Sequence, residues 1–435
     1  DEALALIEDS LRIDRFNFGC GFEKYLITGV EADLKELLAL MRPEAHNYEE
    51  LALDYASAGC WEEALMVAET AISQNVSGQT MLHYYKSWFL IQLDRKEEAL
   101  AAICEAEQQL PDCCFPNALE AILALQSVIG FATETPKALY YLGNLWYDKR
   151  QYPEAITCWE TSMQQDDTFP TVLRNLSLAY FNKLNRQEEA VTLLEKAFAL
   201  DMTDARILME LDQLYKRLNR SHEDRLAFLE KHKDIAFQRD DLYLEYVTLL
   251  NQLGQYEEAI RMIDARKFHP WEGGEGKVPA QYQLARVELV KQLLSEGKYQ
   301  DALNLIEECF VYPHNFGEGK LYGAQENDFN YYKACALQGL GRNEEATGLF
   351  LKASVGNSQP AAAMYYNDQK PDKIFYQGLA LRKLGREDEA RGRFNNLISY
   401  GEKHVYDVFK MDYFAVSLPD LQIWEDDMNK KNRIH

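Results

Sequence analysis

The chain has 435 residues, 47% of them hydrophobic, which is enough to bury a sizeable core. Its 70 acidic and 46 basic residues give a formal charge of −24. This balance argues against a nucleic-acid partner and against an anionic membrane surface, because both attract basic side chains. No apolar run approaches the ~20 residues of a membrane helix. None of the eight cysteines forms a Cys-x-x-Cys pair. We therefore expect a cytoplasmic protein with reduced cysteines and with neither a cofactor nor a metal.

The N-terminal region is predicted to be irregular. Residues 3–14 have the pattern of the second helix of a broken repeat, and residues 32–41 have that of a further helix. The sequence begins at Asp1, without Met and already inside a helical pattern, so we expect it to be part of a longer protein. We assign residues 1–45 to irregular N-terminal helices.

From residue 46 onward the chain carries an internal repeat. A turn motif of the form Gly-x-Tyr-x-x-Ala, or a variant of it, ends at Ala64, Ala99, Ala155, Ala190, Ala259, Ala302, Ala346 and Ala390. The glycine ends one helix, the aromatic ring packs over the turn, and the alanine lets the second helix approach closely. The steps of 35 residues within this series are close to the ~34 of tetratricopeptide repeats, which the pattern resembles. The resemblance implies an all-α fold, a right-handed α-solenoid of about nine helical hairpins.

Two intervals depart from this period. The 56 residues between Ala99 and Ala155 leave room for an extra helix near residues 117–128. The 69 residues between Ala190 and Ala259 contain a degenerate unit around residues 211–215, with Asp224 or Arg225 in place of the alanine. We assign residues 46–265 to tetratricopeptide repeats with one degenerate unit.

After Ala259 the period lengthens to 43–44 residues, and we assign residues 266–400 to longer repeats. The turns keep their length, so the extra residues must enter the connections between hairpins, at residues 268–278, 311–325 and 356–373. Such connections lie along one edge of stacked hairpins and should meet there. Residues 401–435 are predicted to form capping helices.

Two of these connections share the motif Pro-x-x-x-Gly-Glu-Gly-Lys, which starts at Pro270 and at Pro313. A phosphate-binding P-loop is excluded, because Trp271 replaces the required glycine and Val278 the required Ser or Thr in the first copy. In a structural interpretation, proline ends the preceding helix and glycines reverse the chain. The glutamates then accept hydrogen bonds from loop amides, and the lysines pair with carboxylates.

In a functional interpretation the same loops form a rim that binds a ligand. The candidate binding residues are His269, Trp271, Glu272, Glu275, Lys277, His314, Asn315, Glu318, Lys320, Gln325, Glu326 and Asn327. They offer charged, hydrogen-bonding and stacking groups suited to a peptide or a sugar, although Asn327 or Asp328 could equally cap the next helix. Tyr140, Tyr180 and Tyr243 are candidates to face the groove of the first helices.

Catalytic signals are weak. Glu275 and Glu318 could act as an acid–base pair, but a separation of about one hairpin, roughly 10 Å, is marginal for inverting glycoside hydrolysis. The histidines are scattered without metal-ligand spacing. We assign no catalytic residue, and the sequence favours a scaffold that binds a protein, a peptide or a glycan over an enzyme.

Four phrases, at residues 141–150, 174–180, 210–215 and 268–277, are similar to one bacterial family. In that family a large β-rich N-terminal domain precedes a tetratricopeptide region, and its context is linked to carbohydrate metabolism. The resemblance implies that this chain is the repeat region alone. It leaves one alternative, in which the chain is the accessory half of a carbohydrate-active enzyme whose β-rich catalytic domain lies outside it.

Overall fold

The computed structural model describes residues 2–111, 114–271, 273–361 and 368–407, and these residues are helical with connecting turns and loops. The β-type pairing in this part of the chain is limited to an isolated bridge between Glu44 and Ser77. The helices pair into hairpins of the tetratricopeptide type, so the predicted all-α fold class is confirmed. None of the described helices is both long and apolar enough to cross a bilayer. By their contacts the helices group into two compact units, Asp1–Leu200 and Asp201–His435.

The first unit contains three N-terminal helices, four hairpins and one additional helix. Its helices are α1 (Glu2–Ile13), α2 (Phe18–Thr28), α3 (Glu31–Met41), α4 (Ala45–Ser57), α5 (Trp61–Ser73), α6 (Thr80–Gln92), α7 (Lys96–Gln108), α8 (Leu119–Phe131), α9 (Pro136–Asp148), α10 (Tyr152–Gln165), α11 (Pro170–Asn182) and α12 (Gln187–Leu200). The hairpins are α4–α5, α6–α7, α9–α10 and α11–α12. Helix α8 is the predicted extra helix and packs between α6 and α9, whereas α2 was not predicted.

The described part of the second unit contains five hairpins: α13–α14, α16–α17, α18–α19, α20–α21 and α22–α23. Its helices are α13 (Ala205–Arg217), α14 (His222–Lys231), α15 (Lys233–Ala236), α16 (Asp240–Gln252), α17 (Tyr256–Ala265), α18 (Lys277–Ser295), α19 (Tyr299–Glu308), α20 (Asn327–Gly339), α21 (Asn343–Ala353), α22 (Pro371–Lys383) and α23 (Glu387–His404), with a short 3-10 helix at His314–Phe316. Residues 408–435, most of the predicted capping region, lie outside the described residues. The predicted divisions at residues 45, 265 and 400 stay predictions.

The repeat motif acts as the sequence analysis expects. All eight anchor alanines are buried, with at most 2% of their surface exposed. At the hairpin turns the backbone takes a positive φ, as at Gly254 (φ 74°). Glycine adopts this conformation without the steric strain that a Cβ atom would cause. Small residues also admit large partners. A methyl group added at Gly143 of α9 would lie 2.4 Å from the Trp159 ring of α10, so this pair depends on the absence of a side chain.

The degenerate unit replaces the anchor alanine with a buried ion pair. Arg225 of α14 has 2% of its surface exposed, and its guanidinium donates to both carboxylate oxygens of Asp212 at 3.0 and 2.7 Å. The same group donates to Glu245 of α16 at 2.7 Å, and Lys216 donates to that carboxylate at 2.9 Å. Burial raises the pKa of Asp212 to about 6, although Arg225 opposes this shift. The hairpin α13–α14 is therefore held by charge as well as by apolar packing.

Candidate functional site

Three long loops of the second unit contain the predicted rim. They connect α17 to α18 (residues 266–276), α19 to α20 (309–326) and α21 to α22 (354–370, of which 362–367 lie outside the described residues). Helices α17 and α19 end at Ala265 and Glu308, five residues before Pro270 and Pro313. The expectation that proline ends these helices is wrong. After α17 the backbone is already extended at Arg266 (φ −105°, ψ 139°), and the proline lies inside the loop.

The first two loops lie directly against each other. The Phe268 amide donates to the Asn315 carbonyl at 2.7 Å. The Asn315 side-chain amide donates to the carbonyls of Ile263 and Arg266 at 2.8 and 2.9 Å, so it caps the C-terminal end of α17. A methyl group added at Gly317 would lie 2.6 Å from the Phe268 carbonyl oxygen, which leaves no space for a side chain. Asn315 therefore has a structural role.

Glu318 links the two copies of the motif. Its carboxylate accepts a hydrogen bond from the Gly276 amide at 2.9 Å, and Gly276 is the N-cap residue of α18. A negative charge is favourable at this end of a helix. Burial raises the pKa of Glu318, the Gly276 bond opposes the rise, and the neighbouring Glu275 adds to it. The structural expectation is correct for Glu318, whereas Glu275 is exposed and makes no hydrogen bond with the described residues.

The two motif lysines differ. Lys320 donates to the Phe310 carbonyl at 2.9 Å and forms an ion pair with Glu326. Lys277 is exposed at the start of α18 and has no ion pair with the described residues. The expected pairing to a carboxylate is therefore found for Lys320 alone.

Gln325 joins the second loop to the third. Its side-chain amide donates to the Asp368 carbonyl at 3.0 Å. Its side-chain oxygen accepts from the Gln369 side chain at 3.0 Å and from the Lys370 amide at 3.3 Å. The three loops thus form one hydrogen-bonded layer, which we call the rim.

Asn327 does not cap its own helix, contrary to one expectation. It is the first residue of α20, and its side chain donates to the carbonyls of Ala353 and Val355, both at 2.8 Å. The C-terminal end of α21 is thereby capped, as Asn315 caps α17. Asp328 is buried in an ion pair with Lys373 at 2.6 Å and does not act as an N-cap either.

The rim encloses two cavities that share Glu318. The larger, of about 470 Å³, is lined by four predicted residues, Glu318, Lys320, Gln325 and Glu326. Its other polar and aromatic side chains were not predicted: Gln283, Tyr312, Tyr322, Phe329, Lys370 and Lys373. The smaller, of about 250 Å³, is lined by His269, Trp271, Glu275 and Glu318 among others.

Two residues that line the smaller cavity, Trp271 and His269, already pack or hydrogen-bond within the protein. A methyl group at Gly274 would lie 2.2 Å from the Trp271 ring, so one part of that ring packs on its own loop. The backbone amide of His269 donates to Asp240 at 2.8 Å, and its ring Nδ1 lies 3.1 Å from the same oxygen. Burial tends to raise the pKa of Asp240, but the hydrogen bonds from His269 and Arg266 outweigh it and leave the pKa below its ordinary value.

The remaining predicted residues are not part of either cavity. Lys277, His314, Asn315 and Asn327 line neither cavity, and Glu272 lies outside the described residues. The three tyrosines predicted to face a groove, Tyr140, Tyr180 and Tyr243, are buried.

Sequence reasoning missed Tyr322 and Lys370 because it concentrated on the repeated motif. An exposed aromatic residue within the second long connection was the available signal for Tyr322, which is fully exposed. Lys370 is the last residue of the third loop, and the sequence did predict the position of this long connection.

Comparison with solved structures returns tetratricopeptide-repeat proteins. The chain is similar to MamA (11% identity, 43% of this chain, 95% of MamA, TM-score 0.27). It is similar to YrrB, described as a TPR protein with an unusual peptide-binding site (17% identity, 47% and 96%, TM-score 0.22). It is also similar to the TPR domain of P58(IPK) (14% identity, 89% and 96%, TM-score 0.25). No protein-family model matches the chain. These identities and scores transfer no function, and the resemblance to a bacterial family stays a prediction.

Proposed function

We propose that the chain is a binding scaffold whose rim receives a segment of a protein or peptide in the 470 Å³ cavity. The volume lies in the range of about 300–1,000 Å³ that is usual for ligand sites. The observation that carries the proposal is the presence of uncommitted groups at the mouth of this cavity. Tyr322 is fully exposed, and the Lys370 ammonium has no ion pair with the described residues.

These two groups define what the cavity can recognise. Lys320 is neutralised by Glu326 and Lys373 by Asp328, so Lys370 is the lysine left to pair with a carboxylate of the ligand. Tyr322 offers an aromatic face with a polar tip, a combination that is frequent in protein interfaces. An extended segment with an acidic side chain next to an apolar one satisfies both groups.

A peptide suits the rim better than a glycan does, because several groups that a sugar would need are used inside the protein. Trp271 packs on Gly274, and the amides of Asn315 and Asn327 donate to backbone carbonyls. The enzyme alternative depends on Glu275 and Glu318, and the Glu318 carboxylate is held by the Gly276 amide. We keep the expected cytoplasmic location, which rests on cysteine usage, as part of this proposal.

The test uses a random peptide library displayed on phage and a glycan array, both probed with the whole chain. Tyr322→Ser and Lys370→Ala are compared with matched controls at exposed positions outside the three loops of the rim, Tyr406→Ser and Lys231→Ala. We expect selected peptides to bind the wild type and both controls. Each rim variant should weaken them by about tenfold, which corresponds to ~1.4 kcal/mol.

Two results contradict the proposal. Peptides that bind the rim variants and the controls equally well place their site elsewhere on the chain. Enrichment of glycans with no enrichment of peptides assigns the rim to a sugar, and hydrolysis of an array glycan assigns it to an enzyme.

A further inference from the structure

The first unit holds a separate cavity of about 720 Å³ with acidic walls. It lies between the first helices of two successive hairpins, α4 and α6, and is closed by the segment 114–118 and the start of α8. Its carboxylates are Glu44, Glu49, Glu50, Asp54 and Glu120. Among the described lining residues there is one histidine, His46, and neither lysine nor arginine. The described lining of the cavity therefore has many more carboxylates than basic side chains.

Two groups that line the cavity make no hydrogen bond with the described residues. Tyr85 has 2% of its surface exposed and lines the cavity, and its hydroxyl makes no hydrogen bond with the described residues. The side chain is held in the core, so its hydroxyl is positioned to hydrogen-bond a ligand that enters the cavity. The Glu49 side chain is 19% exposed, makes no hydrogen bond with the described residues, and has its one ion-pair contact among them with His46, whose Nδ1 lies 3.9 Å from its carboxylate. A donor that carries positive charge would satisfy both groups.

An apolar surface adjoins this acidic cavity. Phe115 lines the cavity and is 83% exposed, and Leu119, at the start of α8, is 69% exposed. Large exposed apolar side chains that lie beside a cavity are typical of interaction surfaces. The ligand should therefore carry an apolar group next to its cation.

We propose that this cavity binds a peptide segment through an arginine or lysine side chain, with a neighbouring apolar residue of the segment packed on Phe115. The charge of the walls is complementary to that side chain, and the Tyr85 hydroxyl and the Glu49 carboxylate accept its N–H groups. A metal ion is a poorer occupant, since the described residues contain no group of three or more His, Cys, Asp or Glu side chains placed to hold one. This site is independent of the rim proposed above.

The proposal implies that binding strengthens as pH rises through neutrality. Burial raises the pKa of Glu49 to about 7, His46 opposes the rise and Glu50 adds to it. Tyr85 of α6 and Cys114 are the other titratable groups that interact with Glu49. A cationic ligand binds the ionised carboxylate, so below pH 7 each bound cation must first displace a proton. His46→Gln removes the imidazole beside this carboxylate, so the variant shows whether Glu49 accounts for the pH dependence.

The probe is a pentapeptide library with arginine fixed at the third position, and the matched library carries citrulline there. Citrulline keeps the shape of arginine and removes its charge, and the varied flanking positions sample the apolar neighbour. Each library is incubated with the whole chain and the retained peptides are quantified by mass spectrometry. The variants are Glu49→Gln, Tyr85→Phe and Phe115→Ser. Glu97→Gln is the control, because Glu97 is an exposed carboxylate of α7 outside the cavity and the change in net charge is the same.

We expect at least tenfold greater retention of arginine peptides than of their citrulline counterparts. Glu49→Gln should remove most of this difference, Glu97→Gln should keep it, and Tyr85→Phe should weaken binding severalfold. Phe115 is too exposed to support the fold, so loss of apolar preference in Phe115→Ser reports on binding alone. In His46→Gln the increase of binding between pH 6 and pH 8 should persist.

Equal retention of the two libraries overturns the proposal, as does an equal loss in Glu49→Gln and Glu97→Gln. Complete competition by spermidine at the concentration of the peptides also overturns it, since the cavity would then bind a small polyamine. Circular dichroism of every variant shows whether the helices are intact.

Discussion

Gly317 is where the packing of the first two loops of the rim can be tested most directly. It has a φ of 73°, and a methyl group there would lie 2.6 Å from the Phe268 carbonyl oxygen. Gly323, in the same loop, has a φ of 81° but nothing within 4 Å of an added methyl group. Gly319 has neither constraint. Alanine at these three positions therefore separates backbone strain from collision between loops.

The expected costs follow from these differences. A left-handed backbone costs a residue with a side chain about 1–2 kcal/mol, which is the whole expected effect of Gly323→Ala. Gly317→Ala adds displacement of the Phe268 peptide, whose hydrogen bond to Asn315 contributes about 0.5–1.5 kcal/mol. We therefore expect about 1.5–3.5 kcal/mol for Gly317→Ala. Gly319→Ala should be neutral or stabilise by up to ~1 kcal/mol, because alanine restricts the unfolded chain.

Hydrogen exchange of the Phe268 and Gly276 amides measures the effect locally, since both amides donate to the second loop. A local measurement is preferable because a chain of two units need not unfold in a single two-state transition. Every ~1.4 kcal/mol is a factor of ten, so exchange in Gly317→Ala should be about 10- to 300-fold faster than in the wild type. Exchange in Gly317→Ala no faster than in Gly323→Ala would refute the close contact of the loops.

Three further variants test other parts of the chain. Arg225→Ala should destabilise the second unit by about 3–5 kcal/mol in urea denaturation, because it leaves Asp212 buried without its partner. Combining Arg225→Met with Asp212→Leu should recover most of that loss, and no recovery would contradict the ion-pair explanation. Asn327→Ala should lower the melting temperature by an amount equivalent to about 1–3 kcal/mol, since two carbonyls lose their donor. Burial raises the folded-state pKa of Glu49 from 4.5 to about 7, so the contribution of Glu49 to stability is greatest below pH 4.5, falls as pH rises and levels off above 7. Glu49→Gln should remove this slope and stabilise the chain by about 3 kcal/mol at pH 8, whereas an unchanged slope would show that Glu49 is not its source.

The hairpins could be predicted because each depends on short-range patterns that one repeat contains in full. Ala259 and Ala302 are buried for the reason that the motif implies, and the positive φ at Gly254 follows from the turn. Helix α2 was missed because it begins outside the repeat. The sequence placed Arg225 at the position of the anchor alanine but did not predict its ion pair. Its partner Asp212 lies on another helix, and no local pattern specifies that pairing.

The rim was harder to predict, because contacts distant in sequence decide which of its side chains are available. Asn315 is polar and lies in a loop, which made it a candidate binding residue. Its side-chain amide instead donates to two carbonyls at the end of α17, which lie 49 and 52 residues earlier in the chain. Trp271 likewise packs on its own loop. Composition and spacing show which polar and aromatic groups a loop contains. They do not indicate which of these groups form hydrogen bonds or packing contacts within the protein.

The two asparagine caps explain how this chain accommodates connections longer than those of a regular repeat. A helix ends with carbonyls that have no intrahelical donor, and a short connection leaves little backbone to satisfy them. Asn315 supplies two donors to the end of α17, and Asn327 supplies two to the end of α21. The first donor comes from the second loop and the other from the residue that follows this loop, which lies between the other two loops. The second loop is therefore the structural centre of the rim, and the side chains that it does not use for this purpose, Tyr322 above all, are the ones free to meet a partner.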